Sequence, residues 1–245
     1  MKSLLIIVSS MLSTQLACAY NEKKSESPVA PIEKQQKTQA KTKKTEKSSR
    51  ASSSENSTRK TLAEVQTTYK NVKTLTAEFT QQLKNIALGT TKESFGRIFI
   101  KRPDMFRWET HKPEQSILVS NGKKVWYYTA PFREDEKGQV MTKRAADVQS
   151  RLAIDLLAGT INTEKDFKVR RLSDDHLELT PLKPAGDIDR VELYIEKPTK
   201  LVYKLVLYTK SGNQTALTLK NVTLGPSLSD TMFNFVPPAN TEEIQ

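Results

Sequence analysis

Cysteine is almost absent from this chain. Its single copy, Cys18, lies close to the start of the 245 residues, so the rest of the protein can form no internal disulfide and has no thiolate for catalysis or metal binding. Histidine is nearly as scarce. His111 and His176 are the only two, and no zinc site of recognisable spacing can be assembled from them. The eight glycines are scattered among turn-like positions, and neither a G-x-x-x-x-G-K-[ST] nor a G-x-G-x-x-G loop occurs, which excludes the recognised phosphate cradles. No stretch reaches the roughly 20 apolar residues that a membrane-spanning helix needs, and no repeat of 20–50 residues is visible. These absences point to a binding protein that uses no metal or cofactor, with stability drawn from packing.

One hydrolytic pattern needs testing. Ser120-Asn-Gly-Lys123 fits S-x-x-K, and Lys210-Ser-Gly212 is a variant of the K-T-G element of penicillin-recognising enzymes. In those enzymes the serine opens a helix, whereas Ser120 precedes a hairpin turn, and no S-x-N lies between the two elements in the folded region. The carboxylate pairs Asp174-Asp175 and Asp187/Asp189 fall in turns, where solvated loop residues are the ordinary explanation. The chain is read as a non-enzyme.

What is present begins with an export signal. Lys2 gives a charged start, residues 4–12 form an apolar run broken only by Ser9 and Ser10, and Ala17-Cys18-Ala19 has the small-x-small pattern of a signal-peptidase site. Residues 1–19 are read as a signal peptide. Leu16-Ala17-Cys18 also matches the end of a lipobox, but Gln15 stands where that motif wants an aliphatic residue, so cleavage after Ala19 is preferred to acylation of Cys18. Residues 20–60 follow as a basic linker of Lys, Ser, Thr, Gln and Glu, too poor in large apolar residues to offset its ordering entropy. Disorder is expected there. From Asn21 onwards this segment holds 11 Lys or Arg against 5 Glu, so +6 of the formal net charge of +11 belongs to it. The basicity is a property of the tail and argues against nucleic-acid binding by the folded part.

The folded part is expected over 61–245. Leu62, Val65, Tyr69 and Val72 recur on one helical face. Leu75, Ala77, Phe79 and Leu83 then fall at alternate positions, as a half-buried strand requires. Further strands are expected at 94–100, 105–109, 116–120 and 124–128, the last two joined through Asn121-Gly122, the strongest short hairpin signal. A polar loop leads to a second helix over 145–158, carrying Val148, Leu152, Ile154, Leu156 and Leu157. Strands resume at 167–172, 176–180, 190–196, 201–209, 215–222 and 233–236. About ten antiparallel strands with two or more helices give an α+β protein, mainly antiparallel β, with one sheet curled over its helices as an open or closed barrel.

The segment Lys101-Arg-Pro-Asp-Met-Phe-Arg-Trp108 is the most informative. If strand alternation runs through Pro103, then Arg102, Phe106 and Trp108 share one side, placing a cation at the edge of an aromatic wall. Together with Phe79-Thr-Gln81, Ile117-Leu-Val-Ser-Asn-Gly-Lys123, Val125-Trp-Tyr127 and Phe233-Asn-Phe-Val-Pro-Pro238, this segment makes the chain resemble the outer-membrane lipoprotein carrier family, of LolA type, from about Leu62 to the C-terminus. The long basic linker is not part of the usual carrier, and residues 133–149 are hard to align with it.

The resemblance implies an unclosed β-barrel with helices forming a lid over an apolar cavity. It implies a monomeric periplasmic chaperone that accepts acylated lipoproteins from an inner-membrane lipoprotein-releasing ABC transporter and passes them to an outer-membrane acceptor. A lipid or lipoprotein sensor on the same fold is the alternative. Phe79, Ile98, Phe106, Trp108, Val119 and Trp126 are the expected acyl-binding wall, with Phe106 and Trp108 the firmest because parity alone cannot say which side of a sheet is concave. The resemblance makes Arg102 the residue that touches the lid and influences transfer.

Overall fold

The computed structural model describes residues 57–58, 60–145, 152–158 and 163–244. The signal peptide, nearly all of the linker and Val148 lie outside the described residues.

Residues 57–58 and 60–70 are helical and form α1, whose Leu62, Val65 and Tyr69 are buried along the expected stripe. Two long strands, β1 (Thr74–Asn85) and β2 (Thr90–Lys101), follow as a hairpin. They are succeeded by β3 (Met105–Lys112), β4 (Ser116–Asn121), β5 (Lys124–Thr129) and β6 (Gly138–Arg144). Two short helices come next, α2 (Leu152–Ala158) and α3 (Thr163–Asp166). The chain then returns to strands in β7 (Phe167–Ser173), β8 (His176–Pro181), β9 (Ile188–Ile195), β10 (Val202–Thr209) and β11 (Gln214–Leu224). A 3-10 turn, Asp230–Phe233, and a last strand, β12 (Thr241–Ile244), complete the fold.

All twelve strands join one sheet in the order β12-β6-β5-β4-β3-β2-β1-β11-β10-β9-β8-β7. The order is linear, with β12 and β7 as its two edges, so the barrel is not closed. Every pairing is antiparallel except β12 on β6. Long-range closure occurs at the centre, where β1 pairs with both β2 and β11. A bulge at Asn221, which adopts a φ of 51°, relieves the register between β1 and β11.

The two faces of the sheet differ sharply. Residues opposite one another in an antiparallel ladder share a face, so the registers can be followed from strand to strand. Ala77, Ile98, Trp108 and Leu118 lie on one line. Leu217, Leu205, Leu193 and Leu177 lie on another. This apolar face bears the main core, joined by Leu62, Val65 and Tyr69 of α1 and by Ala153, Ile154 and Leu157 of α2.

The opposite face of β7–β10 is polar. There Glu192 accepts from Tyr194 Oη at 3.0 Å and lies 3.1 Å from His176 Nε2, Arg170 forks onto Glu178 at 2.9 and 3.0 Å, and the Arg190 guanidinium stacks over Tyr208 at 3.8 Å. Desolvation and the adjoining Glu192 carboxylate push the Tyr194 phenol up to about 12. These contacts pair the polar groups of the outer face with one another and leave the apolar side inward.

Three expectations are corrected. Residues 138–144 form a strand where a loop was expected, because Gly138-Gln-Val-Met-Thr-Lys-Arg144 alternates too weakly to stand out from the polar residues before it. Residues 233–236 are not a strand. Phe233 closes the 3-10 turn and is fully buried against the outer side of β3 and β4. At the β4–β5 turn only Gly122 takes a positive φ, of 84°. Asn121 instead uses its side-chain oxygen, accepting from the backbone of Lys123 and Lys124 at 3.0 and 2.9 Å.

Candidate functional site

The inner wall is built around a pair of aromatic rings. Phe79 on β1 and Trp108 on β3 meet with centroids 4.6 Å apart and planes tilted by 46°. The strand between them makes this possible by carrying no side chain at the crossing. Gly96 pairs with Phe79, and a Cβ there would fall 1.8 Å from the Glu109 carbonyl oxygen and 2.7 Å from the Phe79 ring. Ile98 and Phe106 complete the wall on this half, and both are almost wholly buried.

Of the six wall residues expected from sequence, Phe79, Ile98, Phe106 and Trp108 are brought together in the main core. Val119 and Trp126 are not. Val119 is opposite Arg107, Trp126 is opposite Val119, and all three lie on the outer face. The reason is parity: Trp108 pairs with Leu118 and Phe106 with Ser120, so the inward positions next to those expected are Leu118 on β4 and Val125 and Tyr127 on β5. Val119 is nevertheless fully buried, because the C-terminal segment covers the outer side. There the Arg107 guanidinium donates to the Met232 carbonyl at 3.1 Å, and Phe235 lies 5.4 Å from the Tyr128 ring.

Sequence reasoning nominated nothing from the second half of the wall. Leu177, Val191, Leu193, Leu205 and Leu217 are as buried as any residue of the first half. Their signal was available in the alternation of Leu177 with Leu179, Val191 with Leu193 and Leu217 with Leu219.

The concave face is filled by the protein's own helices. Between α1, α2 and strands β9 and β10 remains a cavity of about 80 Å³, bordered by Leu62, Val65, Tyr69, Leu157, Leu193 and Leu205. Sites for drug-sized ligands run to roughly 300–1,000 Å³, so this cavity by itself is too small for a long-chain guest. Tyr69 ties α1 down at a specific point, its hydroxyl accepting from the Val202 N–H at 3.2 Å. Burial raises the pKa of this phenol, which keeps it neutral.

Arg102 lies at the far end of α1, outside any continuous strand. β2 stops at Lys101, residues 102–104 form a turn, and Lys101 pairs with Met105, so alternation does not pass from Phe106 back to Arg102. The turn carries Arg102 away from the wall and to the helix C-terminus. Its N–H donates to the Lys73 carbonyl at 2.8 Å, and its Nη1 reaches the Lys70 carbonyl, at the last residue of α1, at 3.5 Å. A cation and a donor there meet the negative end of the helix dipole and a carbonyl without an intrahelical partner. Partial burial lowers the pKa of this guanidinium, which stays charged. Ser120 braces the same turn. Its Oγ donates to the Asp104 carbonyl at 3.0 Å and accepts from the Gly122 N–H at 3.1 Å, which is a structural use of the serine in Ser120-Asn-Gly-Lys123.

The chain has relatives among known proteins. An outer-membrane lipoprotein carrier protein of Francisella tularensis is 30% identical over 179 residues, spanning 71% of this chain and 83% of the relative. The protein of the same name from Nitrosomonas europaea is 26% identical over 176 residues, spanning 70% and 82%. Among solved structures, an uncharacterised conserved protein of Thermus thermophilus is 17% identical, with 76% of this chain and 98% of the other covered at a TM-score of 0.45. A LolA superfamily protein of Nitrosomonas europaea is 15% identical, with 73% and 97% covered at a TM-score of 0.40. Residues 70–236 match the family described as outer membrane lipoprotein carrier protein LolA, and the chain belongs to that family.

Proposed function

We propose that this protein is a periplasmic carrier that shields the acyl chains of lipoproteins between the inner and outer membranes. One observation carries the reading. A continuous apolar concave face runs across both halves of an open sheet, and among the described residues it is covered by the short helices α1 and α2.

The energetics suit a carrier. Three acyl chains of about 16 carbons, at ~0.8 kcal/mol per buried CH₂, would be strongly disfavoured in water, so diffusion without a shield is negligible. In the empty protein the same wall buries Leu62, Val65 and Tyr69 of α1 and Ile154 and Leu157 of α2, each large side chain contributing roughly 1.5–3 kcal/mol. Opening the lid subtracts that sum from the gain on binding cargo. The carrier then holds cargo firmly enough to exclude water and loosely enough to release it downhill to an acceptor.

In this scheme Arg102 and Tyr69 are polar latches of α1, beside the Lys200–Glu64 ion pair at 2.9 Å, and Phe79, Ile98, Phe106 and Trp108 line the acyl site. The partners are an inner-membrane lipoprotein-releasing ABC transporter as donor and an outer-membrane acceptor. The decisive experiment incubates the purified protein with donor membranes bearing a triacylated lipoprotein and asks whether a soluble one-to-one complex forms. It then adds acceptor and measures release. A protein that forms no complex, or that keeps its cargo against excess acceptor, is not a carrier of this kind.

A further inference from the structure

The strand turns at one end of the sheet carry aliphatic side chains that the fold does not use. Ile86 and Leu88, at the tip of the β1–β2 hairpin, are 47% and 68% exposed, and Leu182 in the β8–β9 connection is 60% exposed. Ile86 and Leu88 lie beyond the β1–β2 ladder, which ends at Asn85 and Thr90.

These tips belong to one rim. The Ile86 N–H donates to Asn213 Oδ1 in the β10–β11 turn at 3.1 Å. The Lys210 N–H at the start of that turn donates to the Asp187 carbonyl at 2.8 Å, and Lys210 Nζ donates to the Gly186 carbonyl at 3.0 Å. Three connections from strands that are neighbours or near neighbours in the sheet are thereby held together.

The rim carries a set of exposed lysines among its aliphatic tips. Lys84, Lys92, Lys183 and Lys210 are all exposed there. The nearby acids are Asp187, 3.5 Å from Ser211 Oγ, Glu93, which accepts from Gln82 Nε2 at 3.0 Å, Asp189, which accepts from Arg190 Nη1 at 3.1 Å, and Asp166, whose carbonyl accepts from the Leu182 N–H at 2.9 Å. The β5–β6 connection differs. Its exposed Phe132 is followed by Arg133, which pairs with Glu136 at 3.0 Å, and by the further acids Glu134 and Asp135.

We propose that the rim formed by residues 86–89, 182–187 and 210–213 docks on an anionic lipid bilayer, with Ile86, Leu88 and Leu182 entering the interfacial layer and the four lysines facing the headgroups. Protruding aliphatic tips interleaved with lysine are what a membrane surface rewards. The core of a protein interface is instead enriched in aromatic residues and depleted of lysine. The inference does not depend on the carrier reading, because bilayer binding is measured without cargo.

The test is flotation of the purified protein with phosphatidylethanolamine vesicles, with and without phosphatidylglycerol, at low and at physiological salt. The protein should float with the phosphatidylglycerol vesicles and retain binding at physiological salt. The double variant Ile86→Asp/Leu88→Asp, which keeps the basic linker, should bind these vesicles at least about tenfold more weakly with an unchanged melting temperature. Lys84→Gln/Lys92→Gln should weaken binding chiefly at low salt, where the Debye length is long. Equal flotation of the Asp variant and the unaltered protein would assign membrane attraction to the linker and overturn the proposal, as would no flotation of the unaltered protein. Unchanged flotation with lost cargo acceptance would identify the rim as a protein interface and overturn it equally.

Discussion

The guanidinium of Arg102 reaches the carbonyl of Lys70 across 32 residues of sequence, joining the turn after β2 to the C-terminus of α1 at 3.5 Å. The contact is long for a hydrogen bond, and its partner is a backbone group that any residue at position 70 would supply. Such a contact is suited to repeated breaking. Replacing Arg102 with Leu removes the donor and the charge at the helix end and weakens closure of the lid. Arg102→Leu should accept lipoprotein from donor membranes and pass it poorly to the acceptor, with Arg102→Lys recovering only part of the transfer. Acceptance and transfer measured in separate steps check this, and a defect confined to acceptance would reject the latch.

Tyr69 holds the same helix from its buried side. Tyr69→Phe keeps the ring but leaves the Val202 N–H without its partner, which costs about 1–3 kcal/mol in the closed state. A fluorescent acyl probe should bind this variant at least as tightly as the unaltered protein, while the melting temperature of the empty protein falls. Weaker probe binding with an unchanged melting temperature would contradict a role for Tyr69 in closure.

A methyl group at position 96 cannot be accommodated where Phe79 and Trp108 meet, because the nearest obstruction is the backbone of β3. Gly96→Ala should destabilise the protein by at least about 1–3 kcal/mol. At this domain size each kcal/mol lowers Tm by roughly 2–4 °C, so thermal unfolding followed by circular dichroism reads the effect directly.

Phe106 is 2% exposed and faces the helices, so Phe106→Glu sets a carboxylate into the proposed acyl site. In the fraction that remains folded, affinity for a fluorescent fatty-acid or acylated-peptide probe should fall sharply. Val119→Ser is a useful contrast. Val119 is also buried, but on the outer face, so its substitution should lower stability and leave probe affinity intact.

Deletion of residues 21–56, which spares the helical Ser57 and Thr58, should leave the melting temperature almost unchanged, since that segment has too few apolar residues to contribute to a core. A large fall in Tm would show that the linker docks on the sheet.

Most of the elements and their character were legible in the order of residues alone. Helical spacing in Leu62, Val65 and Tyr69 and strict alternation in Leu75, Ala77 and Phe79 both rest on local periodicity, which burial of one face imposes wherever it acts. Short motifs in order were enough to indicate the family. Where the local signal was weak, as in 138–144, or where apolar residues served a different contact, as in Phe233-Asn-Phe-Val236, the reading failed.

Which side of each strand is concave became known only from the long-range pairing of strands. Period-two alternation is symmetric between faces, and a wall made from several strands is known only when the register of each pair is known. That is why Val119 and Trp126 fell on the outer side while Phe106 and Trp108 fell within. The turn at 102–104 likewise broke an alternation that the linear sequence could not show to be broken, and it brought Arg102 to a helix end instead of to the wall. The cavity and its lid come from contacts between residues far apart in the chain, such as Tyr69 with Val202, and no local pattern encodes a distance of that kind.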